Sequence, residues 1–193
     1  RISMGRLKKG DLDQEGWTNL ATLQGKITGA PLFIDDSPNM TLMEIRAKCR
    51  RLKQRNQLQL VVLDYLQLMS SGKKVESRQQ EVSEFSRSLK LLAKELEVPV
   101  IALSQLNRGS EQRTDKRPMI SDLRESGSIE QDADMVILLH REDMYNPDSD
   151  RVGEADMIIA KHRGGPTKTI PLAFSGKYSR FNNMASETPP QQY

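Results

Sequence analysis

Leu58-Gln59-Leu60-Val61-Val62-Leu63-Asp64 decides the fold class. A strand with one wet face alternates apolar and polar residues with a period of two, and this run does not. Its continuity predicts a parallel strand covered on both faces, ending in a carboxylate. Ligands of open α/β sheets bind just outside the carboxyl ends of the strands, so chemistry is sought in the polar residues that follow such runs.

Working outward, Val82, Phe85, Leu89, Leu92, Ala93 and Leu96 recur at helical spacing and predict an amphipathic helix over 78–97, which Pro99 ends. Residues 98–103 are again an apolar strand. Strand, helix, strand is the rhythm of a doubly wound, mostly parallel sheet. Upstream, Trp17, Leu20, Ala21 and Gln24 mark a helix within 11–24, with Asp11 or Asp13 as its N-cap, and the short apolar run 31–36 reads as a buried strand. Thr41 and Glu44 have capping-box spacing. They open a helix over 41–55 with Leu42, Ile45, Cys49 and Leu52 inward and Arg46, Lys48, Arg50, Arg51, Lys53 and Arg55 outward. Downstream, 70–77 reads as a mobile loop, 107–121 as a polar interruption, and 135–139 and 157–160 as strands. A hairpin closes the pattern, with strands 169–174 and 178–181 around Ser175-Gly176-Lys177, so the carboxy end is expected to be antiparallel. No internal repeat is visible. One domain over 1–185 is expected, followed by a disordered tail at 186–193.

Composition narrows the setting. With 36% apolar and 28% charged residues, 193 residues suffice for one sizeable core. A net charge of +3 and a pI near 9.0 mildly favour an anionic partner. The single cysteine, Cys49, excludes an internal disulfide and points to a reducing compartment. No apolar run approaches the roughly 20 residues that span a bilayer, and no leader pattern opens the chain, so no membrane association and a cytoplasmic location are expected. The first residue is Arg1 rather than Met, which predicts a fragment.

Asp64 admits two readings. A carboxylate at the end of a buried strand can hold a hydrated Mg²⁺ beside nucleotide phosphates, or cap the turn that follows. The next residues extend it to LDYLQLM. With Leu103-Ser104-Gln105-Leu106-Asn107-Arg108, then DLRESGSIEQDAD at 122–134, then Lys161-His162-Arg163-Gly164-Gly165-Pro166, this segment resembles the DnaB family of replicative DNA helicases. The four stretches follow the family's order and, with the intervening helix, span nearly the whole chain.

The resemblance implies a RecA-like motor domain that uses ATP and Mg²⁺, forms a homo-hexameric ring and translocates on single-stranded DNA in DNA replication, with primase and a helicase loader as partners. Asp64 would be the metal-binding aspartate. Gln105, just past a strand end, is an amide able to donate to a γ-phosphate oxygen and to lose that partner on hydrolysis, or simply to solvate a turn; the resemblance makes it the γ-phosphate sensor. Arg124, Glu125 and Gly127 would contact the DNA strand in the central channel. Small residues there let backbone amides approach phosphates, and the absence of aromatics favours backbone contact over base stacking. Glu125 is expected to orient Arg124, to present its own amide, or to cap a helix start. Lys161 and Arg163 on an exposed turn would ordinarily just solvate it; the resemblance sends them into the neighbouring subunit's nucleotide, where an arginine in trans stabilises transition-state charge. His162 is read as a solvated turn residue, and the basic helix as a solvated outer face.

No Gly-x-x-x-x-Gly-Lys-Ser/Thr occurs in the sequence, and Ser71-Gly72-Lys73-Lys74 lacks the hydroxyl residue after lysine. The family's phosphate loop and catalytic carboxylate are expected upstream, so the domain is read as truncated at its amino-terminal side and inactive alone. Two other classes stay open: a RecA-like recombination or repair ATPase, and a non-catalytic interaction domain derived from that fold.

Overall fold

Thr41 caps the helix that precedes the first parallel strand. Its hydroxyl accepts from Glu44 N (3.3 Å), and the Glu44 carboxylate accepts from Thr41 N (2.8 Å), which satisfies two amides that an α-helix leaves unpaired. The computed structural model describes residues 2–70 and 77–184, with the side chains of 124–126 excepted. Residues 71–76, including Ser71-Gly72-Lys73-Lys74, and the tail 186–193 lie outside the described residues. The chain divides into two units, one made of 34–138 and 159–167, the other of the segments up to 33, 139–158 and from 168 onward.

In the first of these units the capped helix is α3 (Leu42–Asn56). Strands β1 (Val61–Leu63) and β2 (Val100–Ala102) pair in parallel, Val61 opposite Val100 and Leu63 opposite Ala102, connected by α4 (Arg78–Leu96). Ser77 caps α4 by accepting from Gln80 N at 3.2 Å. One core joins these elements: Ile45 and Cys49 of α3, Val61, and Phe85, Leu89, Leu92 and Leu96 of α4, with Phe85 wholly enclosed. Burial pushes the Cys49 thiol up, away from thiolate character. On the basic face of α3, Arg46 and Arg50 pair with Glu95 of α4, and Lys48 pairs with Asp35. A short helix, α5 (Gly127–Asp132), lies against α4, where Ser128 Oγ donates to Ser83 Oγ at 2.7 Å.

The other unit holds α1 (Met4–Lys9), which sequence periodicity did not reveal, and α2 (Gln14–Thr28), capped by Asp13. The second sheet has the order β3 (Met135–His140), β4 (Glu154–His162), β5 (Lys168–Ser175) and β6 (Arg180–Asn183). The closing hairpin forms as expected: β5 and β6 are antiparallel, with Phe174 opposite Phe181 and their rings 4.9 Å apart. Among the described residues no helix is long and apolar enough to cross a membrane.

Two expectations need correction. Residues 31–36 form no strand, and Leu32, Phe33 and Ile34 are exposed, Ile34 at 82%. A strand exists only where its backbone groups find a partner ladder, and no described strand runs beside this run. The β1–β2 sheet is not covered on both faces: Val61 is buried in the core shared with α3 and α4, while Val62 and Ile101 are about half exposed. The parallel pairing was legible in the sequence, and the exposure of Val62 and Ile101 was not.

Candidate functional site

The parallel pairing of β1 and β2 brings their carboxyl ends together, and two backbone bonds carry the contact beyond the strands: Leu103 N to Leu63 O and Leu66 N to Leu103 O, both 2.9 Å. Asp64 and Gln105 therefore stand on the same edge, and both are exposed. Gln67 lies in the 3-10 turn Leu66–Leu68 that follows Asp64. Its side-chain amide accepts from Gln105 N at 3.2 Å and donates to Gln105 O at 3.3 Å and to Ser104 Oγ at 3.1 Å. Gln105 borders two open recesses. One, of about 380 Å³, is lined by Tyr65, Leu103, Ser104 and Gln105; the other, of about 220 Å³, extends past Asn107 and Arg108 to Asp122.

Beyond Gln105 the polar segment is held by the ion pair of Arg113 and Asp122. Asp122, 4% exposed, accepts both Arg113 Nη atoms at 2.9 and 2.6 Å and Met119 N at 2.7 Å. Its carbonyl accepts from Asn107 N at 3.0 Å, which ties the end of the Gln105 stretch to the start of the stretch carrying Arg124. The Arg113 guanidinium holds the Asp122 carboxyl below the usual carboxylate range. Gly127 begins α5 with φ −52°, and a Cβ there would meet nothing within 4 Å. The side chains of Arg124 and Glu125 lie outside the described residues.

Lys161 and Arg163 form a second cluster. Lys161 Nζ donates to the carbonyls of Glu130 and Gln131, and Arg163 Nη2 donates to Gln131 O at 2.6 Å. Cations there satisfy carbonyls that the end of α5 leaves unpaired and complement its dipole. Arg163 N also donates to Asp134 O at 2.9 Å, and Asp134, drawn below the ordinary carboxylate range chiefly by Lys90, stands 3.8 Å from the Arg163 guanidinium. The two cations are thus seated on their own chain's α5 rather than simply solvated. His162 differs from expectation as well: it ends β4 half-buried, and a Cβ on Gly165 would sit 2.6 Å from its Nδ1, so the Gly-Gly turn folds against its ring.

The sequence profile of the DnaB-like helicase C terminal domain family matches residues 1–183. The chain belongs to that family. A replicative DNA helicase DnaB of Leifsonia xyli is 70% identical over 184 residues, covering 95% of this chain and 40% of that protein. One from Mycobacterium intracellulare is 68% identical over 185 residues, covering 96% and 32%. Among solved structures, a DnaB-like replicative helicase whose structure includes its interactions with primase superposes with a TM-score of 0.89 at 43% identity, over 95% of this chain and 46% of that one. A separately solved ATPase domain gives 0.90 at 43% identity, over 95% and 66%. The chain therefore spans about two fifths or less of the length of these two DnaB relatives. These matches establish the RecA-like helicase ATPase fold expected from the four motifs.

Within this DnaB-family site, sequence reasoning missed three residues. Gln67 sits in the quoted motif as a lone amide among apolar neighbours, which was the available signal. Asp122 and Arg113 carried none, because the partners lie nine positions apart along a largely irregular stretch and only the fold sets their distance.

Proposed function

We propose that this chain is part of the motor of a replicative DNA helicase, in which ATP hydrolysis drives translocation on single-stranded DNA and duplex unwinding. The observation that carries the reading is that Asp64 and Gln105 follow the adjacent carboxyl ends of β1 and β2, their segments tied through Gln67, in a chain of the DnaB family. An exposed carboxylate beside a polar recess suits Mg²⁺, which keeps most of its water and takes only one or two protein oxygens. Asp64 would hold that ion; when bound, it neutralises charge on the transferred phosphoryl group. Gln105 would donate to the γ-phosphate. Arg124, Glu125 and Gly127 would meet the DNA backbone, and the open space over Gly127 supports close approach from outside, since nothing in the described chain itself demands a glycine there.

Lys161 and Arg163 would leave α5 to reach a neighbouring subunit's nucleotide in a homo-hexamer, with primase and a loader as further partners. The sequence contains no phosphate loop, so the 193-residue chain by itself is expected to show negligible ATPase. The decisive test is Asp64→Asn in the intact protein. DNA-stimulated, Mg²⁺-dependent hydrolysis should fall at least about 100-fold, a barrier higher by about 2.7 kcal/mol; hydrolysis at the parental rate would remove Asp64 from the reaction.

A further inference from the structure

The turn that carries Gln67 is fixed from beneath by Arg78, in the first turn of α4. Its guanidinium donates to Gln67 O at 2.7 Å, Met69 O at 3.1 Å and Leu66 O at 3.4 Å, so three carbonyls of one turn converge on one planar donor set. Arg78 is paired with the buried Glu81 and lies 5.8 Å over the ring of Phe85, the most enclosed side chain of the core. The turn is thereby referenced to the core. From that base the Gln67 amide directs its three hydrogen bonds to Ser104 and Gln105.

A primary amide presents a donor and an acceptor side by side, the pattern of a peptide group, and here it takes both backbone groups of Gln105 as a neighbouring strand would. The contact continues the β1–β2 pairing past the end of the sheet. It engages only the backbone of Gln105 and leaves that residue's own amide for a ligand.

We infer that Gln67 is a positioning residue for Gln105, holding it at a set distance from Asp64 through the Arg78-anchored turn. The inference rests on the reading of Gln105 as the γ-phosphate partner. Hydrolysis chemistry requires reacting and sensing groups to be held to within a fraction of an ångström, and an exposed loop residue does not supply that by itself. Asp64 and Gln105 come from segments far apart in sequence, and the Gln67 side chain bonds one segment to the other at this edge.

The test is a mutant cycle in the intact protein, with ATP and single-stranded DNA supplied. Gln67→Ala should lower DNA-stimulated kcat about tenfold, equivalent to about 1.4 kcal/mol, with KM for ATP held within about twofold because no nucleotide contact is removed. Gln105→Ala should be at least as impaired, and adding Gln67→Ala to it should cost nothing more, since Gln67 acts through Gln105. If Gln67→Ala fails to fold, Gln67→Glu decides. It keeps the size and the acceptor for Gln105 N but loses both donors, and the same kcat loss is expected. Losses that multiply in the double variant, or a KM that rises with the fall in kcat, would indicate a general structural defect and overturn the proposal. Parental kcat in the Gln67 variants with Gln105→Ala impaired would overturn it while leaving the sensor reading intact; a silent Gln105→Ala would overturn both.

Discussion

Removing Arg113 should damage the segment between Gln105 and Arg124 more than removing its partner Asp122. The asymmetry follows from burial: the Asp122 side chain is 5% exposed and that of Arg113 is 30%. Arg113→Ala strands a carboxylate that retains, among the described residues, the Met119 amide, and breaking a buried pair in this way costs about 3–5 kcal/mol. Asp122→Ala leaves Arg113, whose side chain is partly exposed although its Nε is buried, with its bond to Arg117 O (2.6 Å), so about 2 kcal/mol is expected from the lost charge-assisted bonds. Amide exchange reads the difference locally at Asn107 N, whose acceptor, the Asp122 carbonyl, survives both substitutions. At about 1.4 kcal/mol per tenfold, exchange should accelerate about 100-fold or more in Arg113→Ala and about 30-fold in Asp122→Ala, up to the full protection of the segment. The double variant should fall short of the sum by about 1–3 kcal/mol.

Acid supplies an independent arm. The folded carboxyl titrates below its unfolded value of about 3.9, so the pair's stabilisation is fully present above that pH and is lost as pH falls through the folded value. Wild-type protection of this segment should therefore decline only in strong acid, and that step should be absent in Asp122→Asn. Equal exchange in Arg113→Ala and Asp122→Ala would refute the burial argument.

Other outcomes follow from the same structure. Gly127→Ala adds a methyl group where nothing lies within 4 Å, so thermal stability should hold or rise slightly, while affinity for single-stranded DNA, measured by fluorescence anisotropy, should fall if strand phosphates pack against this backbone. Arg163→Ala in the intact protein should lower DNA-stimulated kcat about 10³-fold through the lost trans contact; a change confined to melting temperature would restrict Arg163 to its seat on α5. Phe85→Ala empties the centre of the α3–α4 core and should cost about 3–5 kcal/mol, seen as a lower denaturant midpoint.

Periodicity and end signals made much of the fold legible. The capping box at Thr41 and Glu44 marked the start of α3, and the spacing Val82, Phe85, Leu89, Leu92, Leu96 marked the buried face of α4. Both are local features, encoded within a turn or two of the residues that show them. Asp64 and Gln105 were legible for a related reason: each follows closely on an apolar strand, and parallel pairing puts such ends together. Exposure misled where it depended on neighbours. The run 31–36 has the composition of a strand, yet no described strand pairs with it, and Val62 and Ile101 read as buried although both are about half exposed.

By itself, then, the sequence determined the family, the parallel strand pair, the helix between its strands and the two polar residues at their ends, because these are written in contiguous patterns. Only the tertiary structure decided that Gln67 clasps the backbone of Gln105, that Arg78 anchors the turn beneath it, that Arg113 locks Asp122, and that Lys161 and Arg163 rest on the carbonyls of α5. Those contacts join residues 9 to 38 positions apart, or are made by long side chains with many rotamers, so their distances are set by packing and by no local rule.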